Sequence, residues 1–302
     1  MTRRMPLRPR RFRRVAPAAT PILVVLALVA CGAPESRRPA SSRAPAAETV
    51  ASDATRLEER FPRHVAPPNP VPPNTLSATD REAGWKLLFD GRDGAAWRAR
   101  DGEAFPDVGW STAGGELALE AAGFFALRAG GDLFSVDRYH DFVLDFEFAL
   151  TPGANSDVKY RARANDGFSF VDSIGCEYQI LDDARHPDAD RGRDGNRRLA
   201  SLYDLVPAAS PWPRAIGAWN HARIHVEDGA VAHYLNGDRV LLVDFRSGEW
   251  DVALAESKFA GAEAFCADVE GHLVLQDHGD AVRFRNLRVR SLDRVVAPDA
   301  NP

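Results

Sequence analysis

The chain has 302 residues, 45% hydrophobic and 27% charged, enough to bury a full-sized core in one large domain or two small ones. Its net charge of −5 gives no whole-protein field for gathering nucleic acid, so no nucleic-acid partner is expected. Only the extreme N-terminus is strongly basic, and that stretch has another explanation.

Seven arginines among residues 1–14 precede the apolar run 22–30, which is too short for a comfortable transmembrane span and carries the flanks of a signal peptide. The run ends in Leu28-Val29-Ala30-Cys31-Gly32, which resembles a bacterial lipobox. On that reading residues 1–30 are removed and the thiol of Cys31 takes a lipid; an ordinary signal with an incidental cysteine is the alternative. Gly32 in place of an aspartate favours the outer membrane, facing periplasm or exterior. Residues 31–73 are rich in Ala, Pro, Ser and Arg and read as a flexible tether. A folded domain is expected over 74–292 and a tail over 293–302. Cys176 and Cys266 remain and could pair in an exported protein, but sequence alone cannot place them together, and Cys176 lies on an apolar strand face, where a lone thiol is an ordinary core residue.

Ser77 with Asp80 three residues on predicts a short capped helix. Strands follow. Residues 85–89 are apolar and closed by Asp90-Gly91, and 110–119 read as a hairpin around Gly114-Gly115. In 142–150, Phe142, Leu144, Phe146, Phe148 and Leu150 share one face, with Asp145 and Glu147 on the other. Val158, Tyr160 and Ala162 alternate with Asp157, Lys159 and Arg161; Cys176, Tyr178 and Ile180 alternate with Glu177 and Gln179. Residues 222–226 form a further strand, Asn236-Gly237 joins 231–235 to 240–245 as a hairpin, and 273–277 and 282–289 close the set. Residues 249–265, rich in Ala and Glu, predict a helical insertion. Many short strands and few helices argue for an all-β, two-sheet antiparallel sandwich with a solvated polar face.

That face collects Asn155, Lys159, Glu177, Gln179, Trp219, Gln276 and His278: a base, a cation, amides and an indole suited to a sugar. The bland readings are a Lys159–Glu177 cross-strand ion pair and His278 as a turn cap. Asp182, Asp183 and His186 crowd the exit of the strand carrying Glu177, as a divalent-cation site or a solvated acidic turn. No serine elbow, phosphate loop, dinucleotide fingerprint or zinc-binding helix motif is present. The Glu-x-Asp-x-x-Glu strand of laminarinase-type glycosidases is also missing, which weakens ordinary two-carboxylate hydrolysis.

The chain resembles the bacterial 3-keto-disaccharide hydrolase family over about residues 74–292. The resemblance rests on Gly84-Trp85-Lys86-Leu87-Leu88-Phe89-Asp90-Gly91, Asp141 to Phe148, Asn155-Ser156 with Val158-Lys159-Tyr160, and Glu177 to Asp183. It continues through Ala200-Ser201-Leu202-Tyr203-Asp204-Leu205, Trp219-Asn220, Leu235-Asn236-Gly237 and Leu275 to Asp280. One departure is Asp157, where the family usually has glycine.

The resemblance implies a concanavalin-like jelly roll acting on glycosides oxidised to a ketone at sugar carbon 3. Such a ketone acidifies the carbon-2 proton, so one base can start an elimination of the carbon-1 substituent, and water then adds back. Glu177 or His278 would be the base. Lys159, or a divalent metal drawn from Glu177, His278, Asp182 and His186, would stabilise the enediolate. Asn155, Gln179, Gln276 and Asp182 would hold hydroxyls, with Trp219 or Tyr203 as an aromatic wall. A non-catalytic lectin-like module and a conventional endo-glycosidase remain the alternatives on this fold.

Overall fold

The computed structural model describes residues 55–292, except 69–71, 103, 122–129, 165–172, 263–264 and 267–268. Cys31, the leader and the C-terminal tail lie outside the described residues.

Strand-forming, alternately apolar segments fold into two antiparallel sheets, as the sequence predicts. The smaller sheet contains β2 (Trp97–Ala99), β5 (Leu133–Tyr139), β7 (Asn155–Ala164), β8 (Ser173–Leu181) and β12 (Gly271–Leu275), in the order β2-β5-β12-β7-β8. The larger has eight strands. These are β1 (Lys86–Leu87), β3 (Trp110–Ser111), β4 (Leu117–Leu119), β6 (Phe142–Leu150), β9 (Asn220–Glu227), β10 (Ala230–Leu235), β11 (Asp238–Asp244) and β13 (Val282–Ser291). They run β11-β10-β9-β6-β13-β4-β3, with β1 also on β13.

The inner faces make one core. Leu144, Phe146 and Phe148 of β6 meet Val158 and Tyr160 of β7 and Tyr178 and Ile180 of β8, all essentially inaccessible. Phe146 and Tyr178 meet edge to face at 5.7 Å. His233 of β10 is buried in this core: its Nδ1 lies 2.9 Å from the Ala200 carbonyl and its Nε2 3.1 Å from the Tyr160 hydroxyl. A carbonyl only accepts, so Nδ1 carries the proton and neutral Nε2 accepts from Tyr160, joining the two sheets by hydrogen bonds.

On the outer face of the larger sheet, Asp145 is buried between Arg223 (2.6 Å) and Arg288 (3.0 Å), which face it on the flanking strands β9 and β13. Burial opposes ionisation there, but the Arg223 and His221 contacts hold the carboxyl well below its usual range.

Sequence signals for local structure agree with the fold at three places. Ser77 and Asp80 form a reciprocal capping box on the helix Ala78–Glu82. Asn236 and Gly237 both take positive φ, as the tight β10–β11 hairpin requires. The predicted 249–265 insertion is helical only over Gly248–Ala255 and continues as turns.

Two features differ from expectation. Residues 55–68, read as flexible tether, include a helical turn at 55–60 and pack on β10: Phe61 is fully buried against Ala230, Ala232 and Tyr234. Cys176 and Cys266 form a disulfide with Cα atoms 5.3 Å apart, so Cys176 is not a lone core thiol.

Candidate functional site

The candidate site is built on the outer face of the smaller sheet. Because side chains alternate, Asn155, Asp157 and Lys159 of β7 leave the core together, as do Glu177 and Gln179 of β8. The register sets Lys159 opposite Glu177 and Asp157 opposite Gln179. Gln276, just past β12, joins the same rung through its backbone N–H to the Asp157 carbonyl (3.1 Å).

Residues 200–203 run along the free edge of β8: Ala200 and Ser201 exchange backbone hydrogen bonds with Gln179, and the Tyr203 N–H donates to the Glu177 carbonyl (3.0 Å). The antiparallel Tyr178–Leu202 bridge therefore puts the Tyr203 ring beside Glu177 on this face. Asn155, Lys159, Glu177, Gln179, Gln276 and Tyr203 thus lie on one face or along its edge.

Their partners sort them by role. Lys159 is fully buried; its Nζ donates to the Ser173 carbonyl (3.4 Å) and pairs with Asp132 (3.6 Å) rather than with the facing Glu177. It is a floor cation and cannot reach a ligand as expected. Gln179 donates to the Asn155 side-chain oxygen at 2.9 Å, so two amides hold each other in place. The Glu177 carboxyl makes no hydrogen bond or ion pair among the described residues. Neither does Asp157, whose Oδ1 is buried without a partner. Burial, reinforced by Glu177 and Asp132, pushes the Asp157 carboxyl well above its usual range despite Lys159 and Lys258. Glu177 is thus a carboxyl of this face that no other described residue engages.

A second cluster lies at the far end of this face. His186, on the loop after β8, and His278 and Asp280, after β12, place ligand atoms within 4.8 Å of one another. The His186 Nδ1 accepts the Asp188 N–H (3.2 Å), leaving Nε2 free to point elsewhere. Asp280 Oδ2 accepts the Asn155 N–H (3.0 Å), which fixes the carboxylate and ties the cluster to β7. Two imidazoles and one carboxylate are a donor set that suits a first-row divalent cation and leaves coordination positions open. Of the four expected metal candidates, His186 and His278 belong to this set; Asp280, which the sequence reading passed over, completes it. Glu177 faces Lys159, four residues along β7 from Asn155 or about 13 Å at the strand rise. It is therefore not part of the cluster.

Asp182 is not a ligand either. Its carboxylate accepts from Gly153 N–H (2.8 Å), Arg185 Nη1 (3.0 Å) and Ala184 N–H (3.2 Å). Burial works against ionisation, yet those donors hold its carboxyl below the usual range, which makes it a loop anchor. Trp219 is placed elsewhere altogether: Arg283 and Arg285, on the outer face of the larger sheet, lie 5.1 and 4.2 Å from its ring. It cannot wall a ligand held by Glu177, because the whole core lies between them.

The sequence reading missed Lys258. It sits on the turns after the insertion helix, with its Nζ 4.1 Å from the Tyr203 ring centroid. No periodicity marks it; only folding brings it to a residue 55 positions earlier.

Residues 84–290 match the 3-keto-alpha-glucoside-1,2-lyase-like domain. A 3-keto-disaccharide hydrolase of Bacteroides thetaiotaomicron is 35% identical over 230 residues, covering 70% of this chain and 79% of that protein. A crystal structure of a candidate glycosyl hydrolase from Parabacteroides distasonis superposes with a TM-score of 0.62 at 24% identity, covering 73% of this chain and all of that one. A second from the same organism gives 0.50 at 25% identity, over 69% of this chain and 99% of the other. The structures share the sandwich, and the sequence matches establish that this chain belongs to the 3-keto-alpha-glucoside-1,2-lyase-like family.

Proposed function

We propose that this protein cleaves glycosides whose sugar carries a ketone at carbon 3, by removing the carbon-2 proton and eliminating the carbon-1 substituent. Family membership supports glycoside cleavage. The observation that carries the finer reading is the Glu177 carboxyl, which has no bonded partner among the described residues, while burial pushes the neighbouring Asp157 carboxyl above its usual range and Asp132 is paired. One base on a polar floor is what proton abstraction next to a ketone needs. The Glu177 carboxylate takes the proton from carbon 2 and the electron pair moves onto the ketone oxygen. Collapse of that enediolate breaks the carbon-1–oxygen bond, and the departing oxygen takes the proton that Glu177 accepted, which regenerates the carboxylate. Water adding across carbons 1 and 2 restores a 3-keto sugar. The Asn155–Gln179 amide pair and Gln276 supply hydrogen-bonding groups for sugar hydroxyls along the same floor.

A divalent cation held by His186, His278 and Asp280 would supply Lewis acidity at the other end of the face. Tied to β7 at Asn155, about 13 Å at the strand rise from the Lys159 that faces Glu177, these residues bind and orient a distal part of the ligand rather than share its proton.

The leader and Cys31 support export and lipid anchoring at the cell envelope. The Cys176–Cys266 disulfide agrees with an oxidising compartment.

The test is a panel of native and 3-oxidised glucosides offered to wild type and Glu177→Gln. Wild type should release aglycon only from the oxidised members and the variant should lose that activity. Cleavage of the native glucosides would instead support a conventional glycosidase, and binding without release would support a lectin-like module.

A further inference from the structure

The proposed reaction places negative charge on the ketone oxygen, and an electrophile must meet it. Lys159 cannot, because it is fully buried and held by Asp132 and Ser173. The geometry points to Lys258 as a further catalytic residue, its ammonium stabilising the enediolate formed when Glu177 takes the carbon-2 proton. The inference rests on the function proposed above.

Three observations carry it. First, Lys258 is aimed at the right end of the face. Its Nζ lies over the Tyr203 ring, Tyr203 stands beside Glu177, and the Lys258 charge is among those felt at Asp157. Second, its ammonium is uncommitted. Among the described residues it makes only ring contacts, 4.1 Å to Tyr203 and 4.7 Å to Phe259, so its three N–H donors keep their capacity for an oxygen anion.

Third, the side chain is braced by a closed set of bonds that joins the insertion to the edge of β8. The Lys258 backbone N–H donates to Asp204 Oδ2 (2.7 Å), and Arg197 Nε donates to the other oxygen of that carboxylate (2.6 Å). Arg197 also reaches Asp188 (3.2 Å), which accepts the Tyr203 hydroxyl (2.8 Å), and the Tyr203 ring returns to Lys258. Asp188 and Asp204 are both buried, so their charges are satisfied inside the ring of bonds and do not draw the ammonium away. A cation placed in advance and, among the described residues, held in no ion pair is the form of preorganisation that stabilises a developing oxyanion.

In the step itself the carbon-2–hydrogen bond breaks, its proton goes to Glu177, and its electron pair ends on the ketone oxygen. Lys258 donates a hydrogen bond to that oxygen and changes no bond of its own. When the pair returns to expel the carbon-1 oxygen, the ammonium is released unchanged.

The test compares Lys258→Met with Lys258→Arg on a 3-keto-glucoside, following both aglycon release and exchange of the carbon-2 hydrogen with solvent. Methionine keeps the apolar stem on Tyr203 and Phe259, so a purely structural lysine would be replaced without loss. The expected result is a fall of about 10²–10³-fold in kcat for both readouts in the methionine variant, the size found on removing one oxyanion donor. KM should change little, and arginine should recover a large part of the loss. Equal rates for wild type and Lys258→Met would overturn the inference, as would failure of the folded arginine variant to exceed methionine. Should the methionine variant not fold, the same comparison is made between Lys258→Arg and Lys258→Gln. If wild type itself neither exchanges the carbon-2 hydrogen nor releases aglycon, the underlying function fails, a result distinct from a wild type that does both while lysine proves dispensable.

Discussion

The Cys176–Cys266 disulfide offers the sharpest test of how the fold serves the site. Cys176 directly precedes Glu177 on β8, and Cys266 ends the insertion that carries Lys258, so the bond fastens the two sides of the candidate site together. It closes a loop with a sequence separation of 90. Chain-entropy reasoning for such a loop gives a loss of about 15 cal/mol/K in the unfolded state, or about 4.6 kcal/mol at 25 °C. For a domain of this size, about 2–4 °C of melting temperature follows each kcal/mol, so reduction should lower Tm by roughly 9–18 °C. Circular dichroism melts of the oxidised and reduced protein, with Cys176→Ala/Cys266→Ala as the genetic equivalent, measure this directly. At temperatures well below the melt the reduced protein should keep its strand signal but lose kcat, because the insertion bearing Lys258 is freed. Reduced and oxidised forms melting within about 2 °C of each other would refute the reasoning, since the loop constraint would then contribute almost nothing.

Other predictions follow from buried charge. Burial holds the His233 imidazole at a pKa of about 4, against about 6.5 in an unfolded chain. A depressed folded pKa contributes stability that is complete above about pH 6.5 and lost as the pH falls towards 4, amounting to about 3 kcal/mol. Urea midpoints across that range should fall for wild type, and a His233→Gln variant should show a shallower slope; parallel slopes would contradict the assignment. Asp145→Ala leaves Arg223 and Arg288 facing each other without their carboxylate and should cost about 3–5 kcal/mol in chemical denaturation, a loss below 1 kcal/mol being the contrary result. Manganese or cobalt at about 100 times its dissociation constant should stabilise wild type by about 2.7 kcal/mol. The same ions should leave His278→Ala unchanged; an equal rise in both Tm values would remove the His186–His278–Asp280 cluster as a cation site.

Local patterns were legible where one face meets the core and the other meets polar surroundings. The alternation in Phe142–Leu150, the Asn236-Gly237 turn and the Ser77–Asp80 box all specify backbone geometry through neighbours a few residues away. β5 was not legible, because both faces of its first half are covered: Leu133 enters the core while Phe134 packs on Ala162 and Val274 outside it. β2, with three residues, is too short to show a period. Alternation also identifies a face without identifying the sheet, which is why Trp219 was grouped with Glu177 although the core separates them. The amide floor could be read from Glu177 and Gln179, whereas Lys258, Asp280 and the disulfide depend on contacts over long separations that no local pattern encodes. Asp157 acquires meaning only through its burial beside Glu177.

The most direct test of the central claim is to run the wild-type reaction on a 3-keto-glucoside in deuterium oxide and to follow the sugar product by NMR. Elimination followed by addition of water requires solvent deuterium at carbon 2 of the released sugar, formed in step with the aglycon. Aglycon release with the original hydrogen retained at carbon 2 would contradict it, because the glycosidic bond would then have broken without Glu177 ever taking that proton.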